Sequence, residues 1–227
     1  MPNSDILDLG CGCGDSTALL SAETNPHTLQ GITSHASQSN LSRQRFPNIQ
    51  FIHADAVEYL ASLPSDSIDR LFALDCVYHF PSSRLKFLQQ SARVLRNNEK
   101  IALTDLIFGD NVTAIQRLFM RVVCFLSFAP YSNFRQKTDY YDDFVQAGFQ
   151  DVSIQDISEN VFPGLRDFIY RHRREMDMFE IGGKWMGYLL FAAILKWWLE
   201  TGVVRFVVVH ARKSYTSTTE EYVISST

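Results

Sequence analysis

A chain of 227 residues suits one large domain, or a compact domain that carries a cap. Hydrophobic residues make up 46% and charged residues 20%, which excludes a disordered chain, and a formal net charge of −4 excludes general attraction to nucleic acid. Cys11, Cys13, Cys76 and Cys124 fit no zinc-ligand spacing, so a reduced, cytoplasmic protein without a metal is expected. No basic start followed by an apolar run marks a signal peptide, and the greasiest stretch, 185–195, is too short to span a bilayer and is broken by Lys196.

Residues 6–9 form a short apolar run ending in glycines, which suits a buried parallel strand. Asp15 and Ser16 are placed to cap a helix through Leu19 and Leu20. Further strands are expected at 29–33, 49–53 and 68–74, the last after a Pro64-Ser65-Asp66 turn. Leu85, Leu88, Ala92 and Leu95 recur at helical spacing over 84–95, and 101–106 reads as a fifth strand. Strands alternating with helices specify a doubly wound parallel sheet.

Beyond residue 110 the pattern changes. Residues 111–131, with Phe119, Phe125 and Phe128, are too apolar for an exposed connection. A helix over 138–147 should stop at Gly148, and an alternating sixth strand follows at 152–157. A second helical insertion over 162–200 carries Trp185, Trp197 and Trp198, and the β-branched run 203–209 is the expected last strand. Arg171-His172-Arg173-Arg174 reads as a solvated helix face, and the Ser/Thr-rich tail at 214–227 is expected to fray.

The chemistry begins at Asp8-Leu9-Gly10-Cys11-Gly12-Cys13-Gly14, an acid followed by G-x-G-x-G where a strand turns into a helix. Glycines let the backbone turn sharply and approach a ligand, and the helix amides beyond can hold a negative group. Dinucleotide-binding turns read G-x-G-x-x-G, with a later third glycine, so this spacing argues against a nucleotide-dependent oxidoreductase. With Asp8 in front, the turn resembles the first motif of the class I S-adenosylmethionine-dependent methyltransferases.

That resemblance extends along the chain. Phe51-Ile52-His53-Ala54-Asp55-Ala56 resembles the family's third-strand segment, which implies that Asp55 receives the adenine amino group and the Ala56 amide a ring nitrogen. Residues 68–75 resemble its fourth strand. Arg93-Val94-Leu95-Arg96 resembles the helix that ends in RVLkPGG, with that turn degraded here to Asn97-Asn98-Glu99. Residues 140–149 resemble the helix that ends in AGF.

Many members place an acid after the second strand to grip the ribose hydroxyls. Here stand Gly31-Ile32-Thr33-Ser34 and then Gln38, similar to the GITLSPxQ segment of the γ-tocopherol methyltransferase group and to cyclopropane synthases. Thr33, Ser34 and Gln38 are therefore candidate ribose contacts through neutral hydrogen bonds, and Ser34 reads equally as a helix cap. Val161-Phe162-Pro163 ahead of a helix, and the run from Gly202 to Lys213, match the rhythm of the closing segment of the tocopherol-type enzymes.

After the fourth strand, Asp75-Cys76-Val77-Tyr78-His79-Phe80 should enter the cleft at the C-terminal edge of the sheet. His79 stands where related enzymes put a histidine facing the acceptor, either as a general base or as a positioning group. Cyclopropane synthases have a glutamate beside that histidine; Tyr78 replaces it, which weighs against cyclopropanation. Asp75 is read as meeting the methionine ammonium or positioning the acceptor. Phe119, Phe125, Phe128, Tyr131, Phe134, Trp185, Trp197 and Trp198 are read mostly as core, with a minority lining an acceptor pocket.

The resemblance implies a single Rossmann-like α/β domain over 1–227, with a mostly parallel seven-stranded sheet and an antiparallel last strand. Helical insertions at about 110–135 and 160–200 are expected to cap the C-terminal edge of that sheet. It implies S-adenosylmethionine as cofactor, with S-adenosylhomocysteine as product, held by Asp8, Gly10, Cys11, Gly12, Gly14, Thr33, Ser34, Gln38, Asp55 and Ala56. His79 and Asp75 stand at the reacting end. The expected acceptor is a lipophilic small molecule, aromatic, isoprenoid or alkaloid-like, methylated at carbon, nitrogen or oxygen, and a contact with a membrane surface stays open. A cofactor-binding chain without catalysis, acting as a partner subunit, is the alternative. The first strand starts within a few residues of Met1, where the resembled enzymes carry a helical segment over the cofactor, so a cavity open on one side is expected.

Overall fold

The computed structural model describes residues 3–80, 84–178 and 184–215, with the backbone alone at 173–178 and 184–185. Fifteen elements follow one another in the order β1 (Asp5–Leu9), α1 (Asp15–Thr24), β2 (Thr28–Thr33), α2 (Ala36–Arg45), β3 (Gln50–His53), α3 (Ala56–Ser62), β4 (Ile68–Ala73), α4 (Arg84–Val94), β5 (Leu95–Phe108), α5 (Ala114–Ser127), α6 (Lys137–Gln146), β6 (Phe149–Asp156), α7 (Ser158–Met178), α8 (Lys184–Thr201) and β7 (Val204–Lys213). The strands form one seven-stranded sheet in the order β3-β2-β1-β4-β5-β7-β6. Strands β1 to β5 run parallel, and β7 is antiparallel to both neighbours, as the resemblance implies.

Chain order reverses between β1 and β4, so the loops leaving their C-terminal ends diverge and open a crevice. The glycine turn leaves β1 there, and the Asp75 segment leaves β4. Behind the crevice the sheet packs as a dry layer, with Leu7, Leu9, Ile32, Leu71, Ile101 and Leu103 fully buried. A buried ion pair anchors the layer: the Arg84 guanidinium lies 2.9 Å from Asp105 Oδ2, which also accepts the Tyr140 hydroxyl at 2.7 Å. Burial pushes the Asp105 carboxyl up while Arg84 pulls it down.

A second apolar cluster joins α5, α7 and α8 to the end of β5 and the start of β7, through Met120, Cys124, Phe162, Ala192, Leu195 and Trp198. Helix α5 starts with a reciprocal capping box between Thr113 and Gln116.

Several local expectations are corrected. Gly14, left-handed at φ 91°, occupies the N-cap of α1, while Ser16 donates to Asp8 and Asp15 pairs with Arg45. His35, not Ser34, is the N-cap of α2. Strand β5 begins at Leu95, which pairs with Ile68; the ladder resumes at Lys100 opposite Arg70, and the residues between bulge out with Asn98 at φ 64°. Pro163 lies inside α7 rather than ahead of it, past the first turn, so its missing N–H removes one hydrogen bond of the helix. Arg171 and His172 lie on α7, while the side chains of Arg173, Arg174 and Trp185 and the tail from 216 fall outside the described residues.

Candidate functional site

The turn after β1 has three left-handed glycines, Gly10 at φ 73°, Gly12 at 55° and Gly14 at 91°. Their surroundings separate their roles. A Cβ on Gly10 would lie 2.5 Å from the Cys76 side chain, and one on Gly14 would lie 2.8 Å from the Phe51 ring. A Cβ on Gly12 would meet nothing within 4 Å. Gly10 and Gly14 are therefore demanded by packing, whereas Gly12 keeps open space open. The amides of Gly10 and Cys11 both donate to the Ile32 carbonyl, at 2.8 and 2.9 Å, which fixes the turn over β2.

Asp8 supports the turn from below. It is wholly buried, and its Oδ2 accepts the hydroxyls of Ser16 at 2.8 Å and Thr17 at 2.7 Å. Its Oδ1 has no hydrogen-bond partner among the described residues, and burial raises the carboxyl above its ordinary range. Beside it, burial pushes the Cys11 thiol up to about 12, which makes it an inert packing group.

In front of the turn lies a cavity of about 560 Å³ lined by Gly10, Gly12, Ile32, Thr33, Ser34, His35, Gln38, Ala54, Asp55, Ala56, Asp75, Cys76, His79, Phe80, Ser127 and Phe128. Nine of the twelve residues singled out in the sequence stand on this wall; Asp8, Cys11 and Gly14 lie outside it. The buried Thr33 hydroxyl donates to Gln38 Oε1 at 2.7 Å, which leaves the Gln38 amide nitrogen as a donor. Asp55 is the N-cap of α3, and its Oδ1 accepts the amides of Val57 at 2.8 Å and Glu58 at 3.0 Å. Its second carboxylate oxygen is uncommitted among the described residues.

On the opposite wall, Asp75 sits left-handed at φ 56°, its amide bonded to Thr104 Oγ1 at 2.8 Å. The Tyr78 hydroxyl donates to Asp75 Oδ1 at 2.8 Å, and the Tyr78 and His79 rings lie 4.4 Å apart. Burial raises the Asp75 carboxyl and lowers the His79 imidazole, the latter against the pull of the Asp75 charge. His79 rides on a single 3₁₀ turn, 77–79. Asn133, itself buried, holds that turn by donating to the carbonyls of Tyr78 at 3.1 Å and Phe80 at 3.0 Å.

A second cavity, of about 290 Å³, adjoins the first. Its wall is almost wholly apolar, from Leu106 of β5, Val123 and Leu126 of α5, Phe134, and Leu190, Phe191, Ile194 and Trp198 of α8. His79 and Ser127 belong to both walls. Of the aromatic residues, Phe134 and Trp198 line this cavity. Phe119 and Trp197 line a shallower groove outside it, Tyr131 packs on Phe108, and Phe125 is 80% exposed. Phe128, one of the aromatic residues singled out in the sequence, stands on the wall of the first cavity and is 92% exposed rather than core, whereas Ser127 and Asn133 come to the site by folding alone, since no motif marks them.

Residues 6–98 match a methyltransferase domain family. The chain is 29% identical over 167 residues to the methyltransferase GfsG of Streptomyces halstedii, covering 70% of this chain and 57% of that one. It is 27% identical over 199 residues to the 27-O-demethylrifamycin SV methyltransferase of Amycolatopsis mediterranei, covering 78% and 68%. The chain spans about half the length of several of the curated relatives that it matches. Its fold is similar to that of Haemonchus contortus phosphoethanolamine N-methyltransferase 2, solved with phosphomonomethylethanolamine and S-adenosylhomocysteine. That likeness has a TM-score of 0.81 at 15% identity and covers 95% of this chain and 50% of that one.

Proposed function

We propose that the chain is a class I S-adenosylmethionine-dependent methyltransferase that methylates a lipophilic small molecule. The observation that carries this reading is the shared wall: a polar cavity over the glycine turn and an apolar cavity meet at His79 and Ser127.

The larger cavity fits the cofactor on its own chemistry. Gly12 leaves room for close approach of a ligand, Asp55 offers an uncommitted carboxylate oxygen to an adenine amino group, and Gln38 offers an amide donor to ribose. Asp75, opposite the turn, suits an ammonium group. When bound, the cofactor would supply an electrophilic methyl group on a sulfonium, so the protein's work is to align a nucleophile and exclude water. We assign Gly10, Gly12, Thr33, Ser34, Gln38, Asp55 and Ala56 to cofactor binding, and Asp8, Cys11 and Gly14 to the support of the turn.

His79 faces both spaces, and its lowered pKa keeps the imidazole neutral and able to accept a proton near pH 7. For a hydroxyl or protonated-amine acceptor, a ring nitrogen of His79 would take the proton, freeing the acceptor's electron pair for the methyl group that a bound cofactor would supply. We read α5, α7 and α8 as a cap of the same domain that closes the apolar side.

The test is an isothermal titration of S-adenosylhomocysteine into the chain and into Ile194→Trp, which fills the apolar cavity. Both should bind alike, while the variant loses at least tenfold in turnover of lipophilic acceptors. Absence of binding by the parent chain, or full turnover by Ile194→Trp, contradicts the reading.

A further inference from the structure

Helices α5 and α8 bury one face each and leave an apolar face outward. On α5, Ile115, Leu118, Val122 and Phe125 recur at helical spacing and are 81%, 63%, 49% and 80% exposed. On α8, Met186 and Leu190 are 62% and 56% exposed. The two faces are continuous: Phe119 and Trp197 meet edge to face at 5.0 Å, and a shallow groove runs between the helices. Leu190 and Ile194 line both that groove and the inner apolar cavity. An unbroken series therefore leads from the surface, past Leu190 and Ile194, through the apolar cavity, to His79 beside the cofactor cavity.

A surface of this kind needs an occupant, since contiguous exposed apolar patches mark interaction sites. The charge on α5 indicates which. Across its 14 residues the helix has no carboxylate but has two cations, Arg117 and Arg121, in a chain whose net charge is −4. Arg117 lies over the Phe108 ring and Arg121 over the Tyr131 ring, so both are held at the flank of the apolar face. An apolar stripe flanked by arginines and free of acids matches a helix lying in the headgroup layer of an anionic bilayer. Among the described residues no helix is long and apolar enough to cross a membrane, so the contact would be peripheral.

We propose that the outward face of α5 and α8 docks on an anionic phospholipid bilayer, and that the acceptor enters from it between the two helices. The proposal rests on the methyltransferase reading above, which it deepens by naming where the acceptor comes from.

The test uses the 227-residue chain and the double variant Leu118→Glu/Phe125→Glu, whose side chains line neither cavity. Each is sedimented with vesicles of phosphatidylcholine containing phosphatidylglycerol, and with phosphatidylcholine alone, while S-adenosylhomocysteine affinity is measured on the same samples. The parent chain should bind the anionic vesicles at least tenfold more tightly than the double variant, and more tightly than it binds neutral ones, with equal ligand affinity in both proteins. Failure of the parent to bind vesicles, with ligand affinity intact, overturns the docking proposal and spares the reading beneath it. Failure to bind S-adenosylhomocysteine overturns that reading instead. A dimer by light scattering that the double variant dissolves would assign the face to a second copy of the chain and overturn the bilayer.

Discussion

The carboxamide of Asn133 donates to the Tyr78 carbonyl at 3.1 Å, tying the turn that carries His79 to the segment after α5. The same nitrogen reaches the Phe80 carbonyl, so one buried side chain holds both ends of that turn. Asn133→Ala removes the donor that both carbonyls share and should cost about 1–3 kcal/mol of stability. It should also lower turnover more than cofactor affinity, because His79 is displaced while the glycine turn is not. Denaturant melts check the first, and turnover assays beside S-adenosylhomocysteine titration check the second; an unchanged melt removes Asn133 from the account.

Gly10 and Gly12 share a left-handed backbone but not an environment. Alanine at either position bears about 1–2 kcal/mol of backbone strain. At Gly10 the added carbon also collides with Cys76, so Gly10→Ala should be the less stable of the two. Gly12→Ala should fold and lose affinity for S-adenosylhomocysteine, since its carbon projects into open space. The reverse order of stability and affinity would show that Gly12 does not face the ligand.

For His79 the sign of the pH dependence is fixed by burial. The folded imidazole resists protonation, whereas the unfolded chain takes a proton at the ordinary value of about 6.5. Stability from this group is complete above that pH and declines as pH falls through it. Activity should have an acid limb below about 6.5. Asp75→Asn removes the charge that favours the protonated ring, so the limb should move further toward acid. His79→Ala should depress turnover by about a hundredfold or more if the ring is the base. If the ring only positions the acceptor, KM should rise more than kcat falls.

Asp55 has two duties that substitution can separate. Asp55→Ala removes the α3 cap, worth about 0.5–2 kcal/mol, together with the adenine contact. Asp55→Asn retains a cap, yet can no longer offer two acceptor oxygens. Its melt should stay close to that of the parent while affinity for S-adenosylhomocysteine falls several-fold. Equal affinity would assign Asp55 to the cap alone.

The sheet and most of the wall of the polar cavity were legible because the deciding signals are local. Apolar runs closed by glycines marked β1 and its turn, and the Thr33, Gln38 and Asp55 positions were reached through the resemblance to family segments at the ends of β2 and β3. Spacing could not say which face of the turn a residue takes, so Asp8, Cys11 and Gly14 were grouped with residues that stand on the cavity. The start of β5 was hidden because Asn97-Asn98 carries a turn signature, which the structure absorbs as a bulge while Leu95 pairs with Ile68. Ser127 and Asn133 lay beyond reach, since each meets the His79 turn across some fifty residues of chain through tertiary packing alone.

The central claim is that methyl transfer takes place where the two cavities meet at His79. Its most direct measurement is mass spectrometry of acceptors incubated with the chain and S-adenosylmethionine bearing an isotopically labelled methyl group. The panel should pair lipophilic phenols, isoprenoid alcohols and amines with small polar counterparts. The account predicts label on lipophilic acceptors, and its loss when Ile194→Trp fills the apolar cavity. Label confined to the polar acceptors, or undiminished in Ile194→Trp, would contradict it.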